Sequence, residues 1–313
     1  MKKPRDRLSA LLILLCAAGI LACGAYLLYN YWYLPRQIAA DNARYAAMYA
    51  SGAAAGPENA KTADQVESNA APTPGSASAQ TDVPEDLPLG TPGPDTIVYA
   101  AATLPPVQPS FGELLSMNPE TVGFLTMGGD IALPVVQREN DNEYYLEHDF
   151  EGDESSAGCL FVDGANWLFP RDDCLYIYGH NMKNGTMFGH LTAMSTVSGL
   201  IANSPAYFDT IYENGVYVPF ACVTLTADQS DSGYFELRNF EFTESSFDDF
   251  ITALKQRSLL NIPVDVEYGD RLLVLVTCNY SIDDGRFAVA FRQLREDESL
   301  EEVMRQVKLA AEK

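Results

Sequence analysis

Histidine and tryptophan are scarce in this chain, three and two among 313 residues. The histidines and the six scattered cysteines make no zinc-ligand spacing. No twelve-residue acidic loop of the calcium-binding kind occurs either, so Asp153, Asp172, Asp173 and their acidic neighbours read as solvated loops, and no metal is expected. Positive charge is also short: 20 Lys and Arg stand against 43 Asp and Glu, a formal net charge of −23. From Gln108 onward the balance is 34 acidic residues to 13 basic ones. That excess disfavours a nucleic-acid partner, which needs a basic face to neutralise phosphates. It speaks first to solubility and is compatible with an amine-bearing substrate.

Two further absences divide the chain. After Lys2, Lys3, Arg5 and Arg7 no charged side chain occurs before Arg36, and the intervening Leu, Ile, Ala and aromatic residues are enough to cross a bilayer as one helix. The positive N-terminal flank is expected in the cytoplasm, with Tyr26, Tyr29, Tyr31, Trp32 and Tyr33 at the outer interface of a plasma membrane and everything beyond them extracellular. A cleaved signal peptide processed at Ile20-Leu21-Ala22-Cys23 competes with this reading, but the apolar run continues past Cys23, where a processed signal turns polar. The second absence is aromatic. Between residues 51 and 97 Ala, Pro, Gly, Ser and Thr dominate and no aromatic ring occurs, so the segment cannot bury enough apolar surface to offset its ordering entropy. The expected organisation is a cytoplasmic end over 1–7, a transmembrane anchor over 8–34, an Ala-rich helix followed by a disordered stalk over 35–107, and one folded domain over 108–313.

Within that domain short strands dominate. Apolar, β-branched and aromatic runs at 122–125, 131–136, 159–162, 175–178, 216–226, 271–277 and 287–294 are separated by Gly, Asn and Asp turns. Helices are expected at 110–117, 187–195 and 245–258, the last with Phe247, Phe250, Ile251 and Leu254 at helical spacing and Thr243 or Ser245 as N-cap. An amphipathic helical tail follows over 296–313. Many short strands with few helices suggest a mainly β, closed or nearly closed barrel.

Two segments carry the chemistry. Tyr178-Gly179-His180-Asn181-Met182 supplies a histidine at a strand end; Val276-Thr277-Cys278, with Arg286 eight residues on, supplies a thiol and a guanidinium. An ionised thiol attacks amides, a histidine can protonate the departing amine, and an arginine can hold the oxyanion or the substrate carbonyl. Cys278 alone would more often be a core thiol. Cys159, Cys174 and Cys222 lie in apolar strand runs and read as small hydrophobes, although a disulfide is permitted outside the cell and four cysteines allow three full pairings. His148 and His190 read as surface or packing residues. Arg292 rivals Arg286, because strand alternation puts both on one face.

Six motifs in order, Asn118-Pro119-Glu120-Thr121-Val122-Gly123-Phe124, Leu133-Pro134-Val135-Val136-Gln137, Asp141-Asn142-Glu143-Tyr144-Tyr145-Leu146, Gly158-Cys159-Leu160-Phe161-Val162-Asp163, Tyr178 to Met182 with Met187-Phe188, and Val276-Thr277-Cys278 to Gly285-Arg286-Phe287, resemble a class B sortase across the folded domain. The resemblance implies a sortase-type closed β-barrel of about eight strands. An N-terminal helix, a helix between strands six and seven and a C-terminal helix would decorate it, behind one transmembrane helix. It implies a cysteine transpeptidase without a cofactor. Cys278 would attack the bond after Thr in a sorting motif near the C-terminus of a secreted protein and form a thioester, which a peptidoglycan amine resolves. His180 would be the general acid and base, and Arg286 would stabilise the oxyanion. Asn142, Leu146, Tyr234 and Thr277 would line the substrate groove. Two alternatives stay open: a pilin-polymerising sortase that uses a lysine amine, and a non-catalytic ectodomain that binds wall peptides.

Overall fold

The structure is a computed structural model that describes residues 4–54, 104–128, 131–279 and 284–311. Most of the expected stalk, 55–103, lies outside the described residues, as do residues 1–3 of the expected cytoplasmic end.

Most of the charge-free run lies in the helix Pro4–Leu28, followed by a π-helical turn over Tyr29–Tyr33 and a second helix, Leu34–Ala54. Leu12, Ile13, Leu14, Leu15, Ile20 and Leu21 are exposed, so the apolar surface of the first helix has no protein partner among the described residues. A helix this long and apolar, with none of its apolar stretch buried, is consistent with a single-pass membrane anchor.

The second helix behaves differently. Ala-rich sequence placed it at the base of the stalk, yet Ile38 and Tyr45 are buried against the barrel. The Tyr45 ring packs on Phe150 at 4.8 Å between centroids, and Tyr49 lies flat on Phe124 at 4.3 Å. Arg44 adds an exposed ion pair to Glu151 at 2.9 Å. Gly52 permits a close crossing, since a Cβ there would stand 2.7 Å from the Ser110 Cα. Burial of these rings is the main attachment of the helix, as the exposed ion pair contributes little. Tyr45→Ala is therefore expected to lower stability by about 3 kcal/mol, read as an earlier thermal unfolding transition of the full chain in detergent.

Eight strands follow: β1 (Thr121–Met127), β2 (Ile131–Val136), β3 (Leu160–Val162), β4 (Cys174–Tyr178), β5 (Ala206–Thr210), β6 (Val216–Thr226), β7 (Leu272–Cys278) and β8 (Gly285–Gln293). They close into a barrel in the order β1-β2-β3-β4-β7-β8-β6-β5, with β5 returning to β1. Only β2–β3 and β4–β7 pair in parallel. The six residues Leu272 to Thr277 of β7 are all buried, as befits an unbroken apolar run covered on both faces. The helix Glu244–Arg257 between β6 and β7 packs on β6 and buries Phe247, Phe250, Ile251 and Leu254. Thr243 caps it in a reciprocal box with Ser246. The tail forms the helix Leu300–Ala311 and buries Val307.

The barrel and its two flanking helices agree with the sequence-based expectation, and four local elements differ. Strand β5 and the short helices Tyr144–Glu147 and Val197–Ala202 were not anticipated. The helix expected over 187–195 is confined to a 3₁₀ turn at Leu191–Ser195. Met187 instead takes φ +52° and bridges back to Asn181, which no helix tolerates.

Candidate active site

Strand β7 lies between β4 and β8, and the three reactive side chains come from the neighbouring ends of these strands. Cys278 and Arg286 are direct partners across β7–β8, so their side chains project from the same face. On the other side Tyr178 of β4 is level with Val276, and continuing that parallel register by two residues brings His180 level with Cys278.

Several hydrogen bonds hold the histidine turn on this edge. The Gly179 amide donates to Val276 O at 3.2 Å, and the Thr277 hydroxyl donates to Gly179 O at 2.7 Å. Asn181 Nδ2 donates to Cys278 O at 2.8 Å. Glycine at 179 lets two side chains close on this turn: a Cβ there would stand 2.3 Å from Leu160 Cδ2 and 2.8 Å from Phe188 Cδ2. His180 Nε2 is 2.7 Å from Leu146 O. A carbonyl only accepts, so Nε2 carries the proton and Nδ1 is left for proton exchange.

A cavity of about 300 Å³ joins these groups. Cys278, His180, Arg286, Asn142, Leu146 and Thr277 all line it, together with Phe161, Tyr178 and Arg238. Tyr234 does not line it; its hydroxyl donates to Glu236 at 2.6 Å in the preceding loop. Thr277 is buried with its hydroxyl committed to Gly179, so it serves as a stitch beneath the cavity. Asn142 Oδ1 accepts from the Gly164 amide at 2.6 Å. Arg238, which sequence reasoning missed, holds the buried Asp163 through Nε and Nη2 at 2.7 and 2.8 Å. Burial alone would raise the Asp163 carboxyl. Hydrogen bonds from Arg238, Ala165 N and Asn142 outweigh it and hold the group below the usual carboxylate range.

Among the described residues Arg286 meets no carboxylate; its Nη1 donates to Gly285 O at 3.1 Å. Arg292 is placed quite differently. It pairs with Leu272, at the other end of β7, is 1% exposed, and forms a two-pronged pair with Glu298 at 2.6 Å. Hydrogen bonds from Arg292 lead the causes that hold the Glu298 carboxyl below its ordinary value. A carboxyl lowered on folding contributes stability above its unfolded pKa and loses it as pH falls through the folded one. Glu298→Gln is thus expected to cost about 3 kcal/mol at neutral pH by leaving Arg292 underpaired. The deficit should shrink below about pH 4, as read by urea unfolding at both pH values.

All six cysteines are free. Cys159, Cys174 and Cys222 are buried, and desolvation raises their thiols, that of Cys174 to about 12, so they are poor nucleophiles. Cys278 is partly exposed. A second cavity of about 190 Å³, between Leu34–Ala54 and the barrel, has Cys159 as its thiol and no histidine in its wall. His148 stacks on Tyr144 at 4.0 Å and hydrogen-bonds Tyr144 O, a packing role.

No protein-family model matches the chain. Sortase B of Listeria monocytogenes is 32% identical over 179 residues, 56% of this chain and 70% of that protein. The crystal structure of sortase B from Bacillus anthracis in complex with AAEK1 superposes with a TM-score of 0.54 at 29% identity, covering 61% of this chain and 86% of that one. A Staphylococcus aureus sortase B–substrate complex gives 0.53 at 27% identity, covering 61% and 88%. With the barrel, the helix between β6 and β7 and this level of identity, the chain belongs to the class B sortases.

Proposed function

We propose that this sortase is a membrane-anchored cysteine transpeptidase that fixes secreted proteins to peptidoglycan. The observation carrying the reading is the convergence of Cys278, His180 and Arg286 on one cavity at the β4–β7–β8 edge. The Cys278 thiolate attacks the carbonyl carbon of the Thr in a sorting motif, and Arg286 donates to the oxygen as negative charge develops on it. Collapse of the tetrahedral intermediate breaks the C–N bond, and His180 protonates the departing amine. The acyl group is then a thioester on Cys278. A peptidoglycan amine adds to it as His180 takes up its proton, the C–S bond breaks, and an amide forms with the thiolate released. The N-terminal helix keeps the barrel at the outer face of the plasma membrane, with residues 1–7 in the cytoplasm and the docked helix Leu34–Ala54 as the link to the barrel.

The test is incubation of the full chain, in detergent, with a library of five-residue sorting peptides and candidate wall amines. Mass spectrometry is expected to show an acyl adduct on Cys278 and an amide-linked transfer product. Cleaved peptide without any adduct on Cys278 would overturn the mechanism. Free acid alone, whatever amine is offered, would make the enzyme a hydrolase.

A further inference from the structure

Arg238 is the second guanidinium in the wall of the catalytic cavity and is fixed from three sides. Its neighbours in the chain are tied to the buried Tyr176: the Tyr176 hydroxyl donates to Leu237 O at 2.5 Å and accepts from the Asn239 amide at 3.0 Å. Its Nε and Nη2 clamp Asp163, whose side chain is wholly buried and also accepts from the Tyr178 hydroxyl at 3.0 Å and the Ala165 amide at 3.0 Å. The arginine side chain itself is 48% exposed. With Nε and one N–H of Nη2 committed to Asp163, the nitrogen left wholly unengaged is Nη1, which makes no hydrogen bond among the described residues.

We propose that Arg238 is a specificity-determining residue of the peptide groove, donating from Nη1 to a side-chain amide or carboxyl oxygen of the bound peptide. The inference rests on the transpeptidase reading for what the groove binds. Asp163 is the positioning residue: it holds the guanidinium plane and cancels most of its charge, so the recognition is directional rather than a plain attraction for acids. An amide side chain is accepted as well as a carboxylate. Because Arg238 is anchored before peptide arrives, little side-chain entropy is lost on binding.

The test uses the full chain in detergent carrying Cys278→Ala, so that binding is read without turnover. Fluorescently labelled peptides are scanned one position at a time on either side of the scissile bond with Asn, Gln, Asp, Glu, Ala or Leu, and affinities are taken from anisotropy. At one position the four acceptor side chains are expected to bind about 10-fold more tightly than Ala or Leu. Added R238Q should collapse this preference to less than about 2-fold without changing the affinity of the Ala and Leu peptides. R238K, which can still pair with Asp163 and hold the loop, should collapse it equally. The proposal is overturned if no position shows the preference, if the preference survives both variants, or if both weaken every peptide alike. Failure of the underlying reading looks different: peptides bound with an Arg238-dependent preference but never cleaved by the wild type refute transpeptidation while supporting the recognition role.

Discussion

Cys278→Ala is expected to leave the barrel folded and to lower both peptide cleavage and amine transfer by at least about 10³-fold, because the proposed nucleophile and acyl carrier are lost together. No other thiol can take over. Cys159, Cys174 and Cys222 are buried, and desolvation disfavours their thiolates. Cys16 and Cys23 lie on the apolar helix, outside the barrel. Iodoacetamide should accordingly modify Cys278 in the wild-type barrel well before the three buried cysteines, as read by peptide mapping. Peptide turnover is followed by chromatography and folding by thermal unfolding. An alanine variant with undiminished turnover would remove the thioester from the mechanism. A variant that loses turnover only because it unfolds would shift its melting transition, which a partly exposed strand-end residue should not do.

The barrel was legible because its central strands are buried on both faces. The apolar runs of β6 and β7 stand out without any knowledge of their partners. β5 was not, because Ala206–Thr210 turns only Ala206, Phe208 and Thr210 inward and exposes Tyr207, so the strand carries too little apolar sequence of its own. The docking of Leu34–Ala54 was hidden for a related reason. Ile38 and Tyr45 are ordinary residues on an Ala-rich helix until Phe150 and the surface around it are in place. Composition reports whether a segment can fold alone, not whether a finished surface will receive it.

At the site the motifs named His180, Cys278 and Arg286 together, and the pairing of β7 with β4 and β8 explains how one cavity can hold all three. Arg238 had no such signal. It sits in a loop, and its partner Asp163 is 75 residues away, so its place in the wall emerges only from tertiary structure. Tyr234 marks the same loop, four residues short of the side chain that reaches the cavity. Loop length between strand and helix carries no register, unlike a strand, where a one-residue error would exchange the faces.

The choice between the two arginines of β8 was open by alternation, and the packing separates them. Arg286 faces Cys278 across the ladder at the cavity, whereas Arg292 is spent on Glu298 and on Asp265 O at 2.7 Å. Arg286→Ala is expected to lower kcat by about 10²- to 10³-fold, since the oxyanion donor that the proposed mechanism makes of it contributes on the order of 3 kcal/mol. KM for the peptide should change much less, because the interaction strengthens only as the carbonyl oxygen becomes an oxyanion. Folding should be nearly unaffected: among the described residues Arg286 donates one hydrogen bond, to its own neighbour Gly285, and no carboxylate is left unpaired by its removal. Lysine at this position keeps the charge but not the planar fork and should recover only part of the rate. Arg292→Ala is expected to show the opposite pattern, a large loss of stability with kcat little changed in whatever protein remains folded, because it removes a buried cation from three acidic neighbours. Steady-state kinetics and thermal unfolding measured on the same preparations decide between these outcomes. An Arg286→Ala enzyme with wild-type kcat, or an Arg292→Ala enzyme that stays stable and loses kcat, would move the oxyanion donor to the other end of the strand.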